Sequence, residues 1–361
     1  MRDSTQQLPP TRREARRQVD RKALREAGRQ SAKRNRGGAR KALIAILAVV
    51  LIIGGVSVGG FYLLRHRFDS QIERFDAFEG VKDRPTPAEN ADAKQPLNFL
   101  ILGSDSRISK GDLNKIEYGQ QRSDALMVAQ LSADRTAVTV MSIPRDSWVD
   151  IPGHGKAKIN AGLSFGGIPL AVQTVENLTK IHIDHVMLVD FESFKQLTDE
   201  LGGVTIQTRE GAQHMSGDEA LVFAQTRKTL PQGDFDRMRR QQAWMRAIAQ
   251  TIFNQDILTS PTKMYTLLDI LTKTTLMDET LTMAKLQSMA LESTSLRPGS
   301  VRFITAPYAG TGRSPDGKQS IVNLDMARSE PVFDAFANGR AAEFLADNPK
   351  AAPSLDDRPL D

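Results

Sequence analysis

The longest apolar run in the chain covers residues 42–64, 23 positions without a charged side chain. As an α-helix rising 1.5 Å per residue, such a run is about 35 Å long, which is enough to cross a bilayer. It ends in Arg65, His66 and Arg67 rather than in the small residues typical of a signal-peptide cleavage site. We therefore predict a single transmembrane helix over residues 42–64.

The pattern changes after this run. Residues 65–96 are largely polar and contain several prolines, which predicts an extracytoplasmic linker. Apolar periodicity returns at residue 97, where we expect a folded domain that extends to residue 340. The last residues, 341–361, have the polar and proline-bearing composition of a disordered tail.

Within residues 97–340, short apolar strands alternate with amphipathic helices. Strands are predicted at residues 97–103, 125–131, 136–143, 185–190 and 301–307, and helices at 168–181, 191–201, 236–254, 261–272 and 279–291. This alternation predicts an α/β sandwich in which helices flank a mixed central sheet.

The charge is divided unevenly along the chain. Residues 1–41 contain 14 Lys and Arg against 4 Asp and Glu, whereas the remaining residues carry a net charge of −5. Positive charge before an apolar span predicts a cytoplasmic N-terminus and an extracytoplasmic domain at the cell membrane. It also explains the basic tail without nucleic acid, which we do not expect as a partner because the domain lacks basic character. The chain has no cysteine, which excludes disulfides and thiolate chemistry.

Charged motifs gather where predicted strands begin or end. They read GSDSR (103–107), RSD (122–124), SIPRD (142–146), KIN (158–160), TRK (226–228) and GDFDRMRRQQ (233–242). Ligand crevices in α/β folds form outside strand ends. Arginine forks match phosphate oxygens, and paired aspartates supply the hard oxygen ligands that magnesium prefers. The motifs therefore predict a polyanion site.

The SIPRD motif illustrates how a strand reaches such a site. Pro144 lacks a backbone N–H, so the strand stops there and Arg145 can point into a crevice. Asp146 would then orient Arg145 or meet a metal ion. One Arg–Asp pair is commonly a solvated surface ion pair, but three such combinations near strand ends favour a site. Arg237 and Gln241 are spaced i, i+4 and share one helix face.

The order of these motifs over about residues 97–250, behind one amino-terminal span, resembles the LytR-CpsA-Psr family of bacterial cell-wall glycopolymer ligases. The resemblance implies an α/β fold with an apolar pocket for a polyprenyl chain. It also implies an enzyme that transfers a glycopolymer phosphate from a polyprenyl pyrophosphate carrier to peptidoglycan, typically to the 6-hydroxyl of N-acetylmuramic acid. The implied partners are the polyprenyl-pyrophosphate-linked glycan, peptidoglycan and the cytoplasmic membrane.

The resemblance also assigns roles to residues of this chain. Asp105 and Asp124 match the aspartates that hold Mg²⁺ or Mn²⁺, and the implied catalytic residues are Arg145, Asp146 and Asp124. The implied pyrophosphate-binding residues are Arg107, Arg122, Arg145, Lys158, Arg227, Arg237 and Gln241.

One position departs from the family pattern, and two other functions stay open. Gln225 stands where the family commonly has the first arginine of an RxR pair. An amide donates a hydrogen bond but carries no charge, so that phosphate contact is either weaker or remade by Lys228. The alternatives are a pyrophosphatase that hydrolyses lipid-linked pyrophosphates with the same residues, and a non-enzymatic regulator of the cell envelope.

Overall fold

A computed structural model describes residues 74–88, 94–104, 123–227, 229–255, 257, 260, 263, 266–267, 269 and 275–360. The predicted span at 42–64 and most of the predicted helix at 261–272 lie outside these residues. Within the described part of the chain, no helix is both long and apolar enough to cross a membrane. All described residues belong to one compact unit, residues 67–361.

The described strands are β1 (Arg74–Phe75), β2 (Leu97–Ser104), β3 (Ser123–Leu131), β4 (Val138–Ser142), β5 (Trp148–Ile151), β6 (Gly155–Lys158), β7 (His185–Asp190), β8 (Val204–Thr208), β9 (Gly211–Met215), β10 (Thr275–Asp278), β11 (Val301–Thr305), β12 (Tyr308–Arg313) and β13 (Ser320–Leu324). The described helices are α1 (Ala161–Thr179), α2 (Phe191–Glu200), α3 (Gly217–Gln225), α4 (Asp234–Asn254), α5 (Met283–Glu292), α6 (Met326–Ala337) and α7 (Ala341–Asp347).

The central sheet has the order β1-β10-β7-β2-β3-β4-β11. Strand β2 pairs antiparallel with β3 and parallel with β7, and β4 pairs antiparallel with β3 and parallel with β11. The predicted mixed sheet is therefore confirmed. The hairpins β5–β6, β8–β9 and β12–β13 form separate two-stranded sheets.

Helices cover both faces of this sheet. Successive side chains of a strand point to opposite faces. On β2, Leu100 and Leu102 pack into a core shared with α1, α6 and α7, whereas Phe99 and Ile101 pack into a second core shared with α2, α3 and α4. Both cores consist of buried aliphatic and aromatic side chains, which confirms the predicted sandwich.

Helix α1 begins earlier than its sequence pattern predicts. The first segment starts at Ala161, and Gly166 and Gly167 interrupt it with non-helical dihedral angles. Gly167 has φ +68°, a left-handed conformation that favours glycine. The helix resumes around Pro169, whose fixed φ suits a first helical turn. The predicted start near residue 168 corresponds to this second segment.

The C-terminal residues differ from the disordered tail that their composition predicts. They contain α7 and a short 3₁₀ turn at Leu355–Asp357. Leu355 and Leu360 are buried in the core shared with α2–α4. These two leucines were the available signal, because burying them stabilises an otherwise polar segment.

A buried carboxylate joins β10 to β7 at the edge of the sheet. Asp278 accepts hydrogen bonds from the backbone N–H of Val186 at 3.0 Å and of Thr280 at 2.9 Å, and its Oδ2 lies 3.1 Å from Nδ1 of His185. Burial alone raises the pKa of the Asp278 carboxyl, but hydrogen bonds from His185, Thr280 and Val186 outweigh burial and lower the pKa below 3.8. The carboxylate therefore stays ionised and contributes to stability.

We expect Asp278→Asn to lower the free energy of unfolding by about 2–4 kcal/mol, because several buried partners lose their acceptor. The lowered pKa means that this contribution is present above the ordinary carboxyl pKa and is lost as pH falls through the lowered value. Urea denaturation from neutral to acid pH should therefore show a shallower acid loss for the variant. Asp334→Asn, at a carboxylate on the surface, is the control, and equal slopes in all three proteins would contradict the assignment.

Candidate functional site

Arg145 lies in the turn that follows β4. The turn closes with a hydrogen bond from the Ser147 N–H to the Pro144 carbonyl at 2.9 Å. The Arg145 guanidinium then reaches Asp234, with Nε 3.2 Å from Oδ2 and Nη2 3.2 Å from Oδ1. This two-point contact joins the end of a central strand to the first residue of α4.

Asp234 collects two further arginines. Nη2 of Arg237 lies 2.7 Å from Oδ1 of Asp234, and Nε of Arg227 lies 3.7 Å from the same oxygen. Arg145 and Arg237 are mostly buried, whereas about half of the Arg227 side chain is exposed. Three of the predicted pyrophosphate-binding residues thus converge on one carboxylate, which leaves a net positive cluster.

Two adjoining cavities open beside this cluster. A polar pocket is lined by Ser142, Arg145, Asp234, Arg237 and Gln241, among others. A second cavity, with about 410 Å³ of empty space including its open mouth, is almost entirely apolar. Its lining comes from β2, β3, β7, α2 and α4 and includes Ile101, Met127, Phe194, Trp244 and Met245. Ala125, Met127 and Gln241 line both cavities, so a charged head and an apolar chain can bind side by side.

Gln241 has an unsatisfied donor at the boundary of the two cavities. Its side chain is 5% exposed, and its Nε2 has no hydrogen-bond partner among the described residues. Buried polar groups are normally paired, so such a donor indicates a place for an acceptor oxygen of a ligand.

The next glutamine secures the helix instead. Nε2 of Gln242, which is fully buried, donates to Oγ of Ser142 at 2.8 Å and to the carbonyl of Ile304 at 2.9 Å. These bonds fasten α4 to the ends of β4 and β11. The two neighbouring amides therefore have different tasks, one toward the pocket and one toward the sheet.

Lys158 pairs with Asp146 rather than standing alone. Nζ of Lys158 lies 3.1 Å from Oδ1 of Asp146. The N–H of Asn160 also donates to the carbonyl of Arg145 at 3.2 Å, so the end of the β5–β6 hairpin supports the Arg145 turn. We expected Asp146 to orient Arg145 or to meet a metal ion, and the structure gives the orienting contact to Asp234.

Asp234 is the residue that the sequence reasoning missed. Its signal was its i, i+3 spacing to Arg237 inside the GDFDRMRRQQ motif. Arg240 of the same motif turns elsewhere, because its guanidinium lies over the Phe223 ring at 4.2 Å. Gln225, the departure from the family pattern, is exposed at the end of α3.

Several predicted site residues lie outside the described residues, namely Asp105, Arg107, Arg122 and Lys228. Asp124 belongs to β3, but its side chain is also outside them. The next residue, Ala125, lines both cavities, and Gly103, two residues before Asp105, lines the apolar one. Among the described side chains, no group of three or more His, Cys, Asp or Glu residues is arranged to hold a metal ion.

Comparison with known proteins gives consistent relatives. A family model described as "LytR_cpsA_psr family" matches residues 69–330. A polyisoprenyl-teichoic acid–peptidoglycan teichoic acid transferase TagU from Bacillus anthracis is 32% identical over 219 residues, which is 57% of this chain and 68% of the relative. A TagU of the same description from Bacillus licheniformis is 30% identical over 250 residues, 66% of this chain and 78% of the relative.

Solved structures share the fold. A structure described as TagT bound to LI-WTA superposes with a TM-score of 0.55 at 25% identity, covering 72% of this chain and 97% of TagT. The crystal structure of TagV from B. subtilis gives a TM-score of 0.56 at 25% identity, covering 69% of this chain and 98% of TagV.

We expect Asp234→Asn to lower the free energy of unfolding by about 1–3 kcal/mol, because mostly buried arginines then face each other without a shared counter-charge. Asp356→Asn is the matched control, since it also removes an ion pair between an aspartate and an α4 arginine, Arg246, but at a carboxylate that is 70% exposed. Urea denaturation measures both, and equal stability of Asp234→Asn and the wild type would contradict the role of Asp234.

Proposed function

Because the chain belongs to the LytR_cpsA_psr family, we propose that this transferase moves a glycopolymer phosphate from a polyprenyl diphosphate carrier onto peptidoglycan. Its curated relatives are named as transferases that act on polyisoprenyl-linked teichoic acid and peptidoglycan. The observation that carries the proposal is the arginine cluster around Asp234, which opens onto an apolar cavity.

This arrangement suits an amphiphilic donor. A prenyl chain gains free energy by leaving water for the cavity lined by Ile101, Phe194 and Trp244. Its diphosphate then meets Arg145 and Arg237, whose planar guanidinium groups match phosphate oxygens in pairs. Gln241 donates a neutral hydrogen bond at the boundary between chain and head group.

The reaction is a displacement at phosphorus. A hydroxyl oxygen of the acceptor, proposed as the 6-hydroxyl of N-acetylmuramic acid, forms a bond to the phosphorus that bears the glycan. The bond from that phosphorus to the bridging oxygen breaks, and its electron pair leaves with the prenyl phosphate. A carboxylate, Asp124 or Asp146, takes the hydroxyl proton. Arg145 and Arg237 lower the barrier because they neutralise charge on the diphosphate as it shifts to the leaving group.

A divalent ion fits the chemistry of the proposed donors. We assign Mg²⁺ or Mn²⁺ to Asp105 and Asp124, since carboxylates are the hard oxygen ligands that these ions prefer. The position of Asp124 in β3, directly before Ala125 of the polar pocket, supports this assignment. When bound, the ion supplies further positive charge at the diphosphate oxygens.

The proposed location follows from the amino-terminal part of the sequence. Residues 42–64 form the single membrane anchor, residues 1–41 remain in the cytoplasm, and the transferase domain lies outside the cell membrane. The anchor keeps the domain near the lipid-linked donor. The support is the uncharged apolar run and the excess of Lys and Arg before it.

We expect Arg145→Ala to reduce kcat/KM for transfer at least about 100-fold, because the diphosphate loses its two-point contact at the strand end. The assay follows labelled glycan from a prenyl diphosphate donor onto peptidoglycan, using the full-length protein in detergent. Arg313→Ala, at an exposed arginine of β12, should retain wild-type activity. If Arg145→Ala remains folded and transfers glycan normally, the proposed site is wrong.

The same assay separates transfer from hydrolysis. A pyrophosphatase releases glycan phosphate into water at an equal rate with or without peptidoglycan. A transferase attaches the label to peptidoglycan and releases little of it when the acceptor is absent.

We expect the double variant Asp105→Asn, Asp124→Asn to lose transfer, and chelation to inactivate the wild type reversibly, because the diphosphate then lacks its divalent counter-charge. Adding Mg²⁺ or Mn²⁺ should restore the chelated wild type but not the double variant. Full activity of the double variant, in vitro and in complementation of a deletion strain, would instead support the non-enzymatic regulator.

A further inference from the structure

The two sides of the first turns of α4 face different surroundings. Asp234, Arg237 and Gln241 follow i, i+3, i+7 spacing and line the polar pocket together. Asp236 and Arg239 lie about half a turn away on the helix. Both are buried, at 4% and 8% exposure, and both contact the C-terminal residues Pro353–Leu360, which we call the tail strap.

The contacts between the tail strap and α4 are polar and specific. Arg239 donates from Nη2 to the carbonyl of Leu355 at 2.9 Å and from Nη1 to the carbonyl of Pro359 at 3.2 Å, and it also donates to the carbonyl of Arg358. Arg358 in turn donates to Oδ1 of Asp236 and, at 2.8 Å, to Oε1 of Gln232. An arginine of the helix and an arginine of the strap thus each complete the other's segment.

Asp236 carries this contact into the loop before the helix. Its second oxygen, Oδ2, accepts the N–H of Gln232 at 2.8 Å. Gly233, which precedes Asp234, has φ +54° and offers no side-chain cap to the helix. The loop that leads to Asp234 is therefore held by Asp236, and Asp236 is held by Arg358.

The strap is also tied to the sheet and buried by its own leucines. The N–H of Thr305 donates to the carbonyl of Pro353 at 2.9 Å, and the N–H of Arg209 donates to the carbonyl of Leu360 at 2.8 Å. Leu355 and Leu360 fill the core beneath α4. The strap consequently links the helix to both β11 and the β8–β9 hairpin.

We propose that the tail strap is a positioning element of the donor site, and that Arg358 is its key residue. By neutralising Asp236, Arg358 fixes the start of α4 and thereby the place of Asp234, which holds Arg145 and Arg237 for the diphosphate. This inference rests on the proposed function. The strap lies beyond residues 69–330 that the family model matches, so it is a feature of this chain outside that model.

The test measures binding of farnesyl diphosphate, as a short prenyl diphosphate probe, to the full-length protein in detergent by isothermal titration calorimetry. We expect Arg358→Ala to weaken binding about 10-fold, because small displacements of positioning groups have large effects. Asp356→Asn is the matched control: it removes another contact between the same strap and the same helix, to Arg246, three turns beyond the site. This control should change the affinity less than about twofold.

Two further measurements separate positioning from general stability. Arg358→Lys keeps the positive charge toward Asp236 and should recover most of the affinity lost in Arg358→Ala. Hydrogen exchange should rise at residues 232–238 in Arg358→Ala but not in Asp356→Asn, and this reading remains available if the alanine variant is too unstable for calorimetry.

The outcomes distinguish this inference from the proposed function. If the wild type does not bind the probe, the donor site fails and the inference fails with it. If the wild type binds and Arg145→Ala does not, but Arg358→Ala binds as the wild type does, only the role of the strap is overturned. Equal weakening in Arg358→Ala, Arg358→Lys and Asp356→Asn would likewise reduce the strap to a general stabilising segment and overturn its positioning role.

Discussion

The ion pair between Arg145 and Asp234 is the interaction on which the site depends. It joins two segments that are 89 residues apart in the chain, the end of a central strand and the start of α4. Neither side chain is fully exposed, so the pair is less screened by water than a surface ion pair. Because Arg237 and Arg227 share the same carboxylate, one aspartate organises a cluster that carries more positive than negative charge.

The sheet and its two helical layers give this ion pair a rigid setting. Gln242 connects α4 to the ends of β4 and β11, while the leucines of the C-terminal residues pack beneath the same helix. The apolar cavity lies between this helix and the sheet. A binding site for an amphiphile thus arises where a charged strand end meets an incompletely filled part of the core.

Much of the architecture could be predicted from local patterns. Alternating apolar residues in β2 and β3 indicated strands, and both strands occur within a few residues of their predicted bounds. The motif arginines Arg145, Arg227 and Arg237 were selected from sequence, and they do converge. Predicting the ordered C-terminal residues failed because two leucines in a polar run show no periodicity, and their burial needs a surface that the rest of the fold creates.

The sequence by itself determined the chemistry that is available, namely arginines and an amide near strand ends and a long apolar run before the domain. Strand and helix periodicities are local, so they are readable along the chain. Only the tertiary structure decided that Arg145 pairs with distant Asp234 while adjacent Asp146 pairs with Lys158. The physical reason is that an ion pair needs a distance of a few ångströms in space, and that distance is set by how the elements pack rather than by their order.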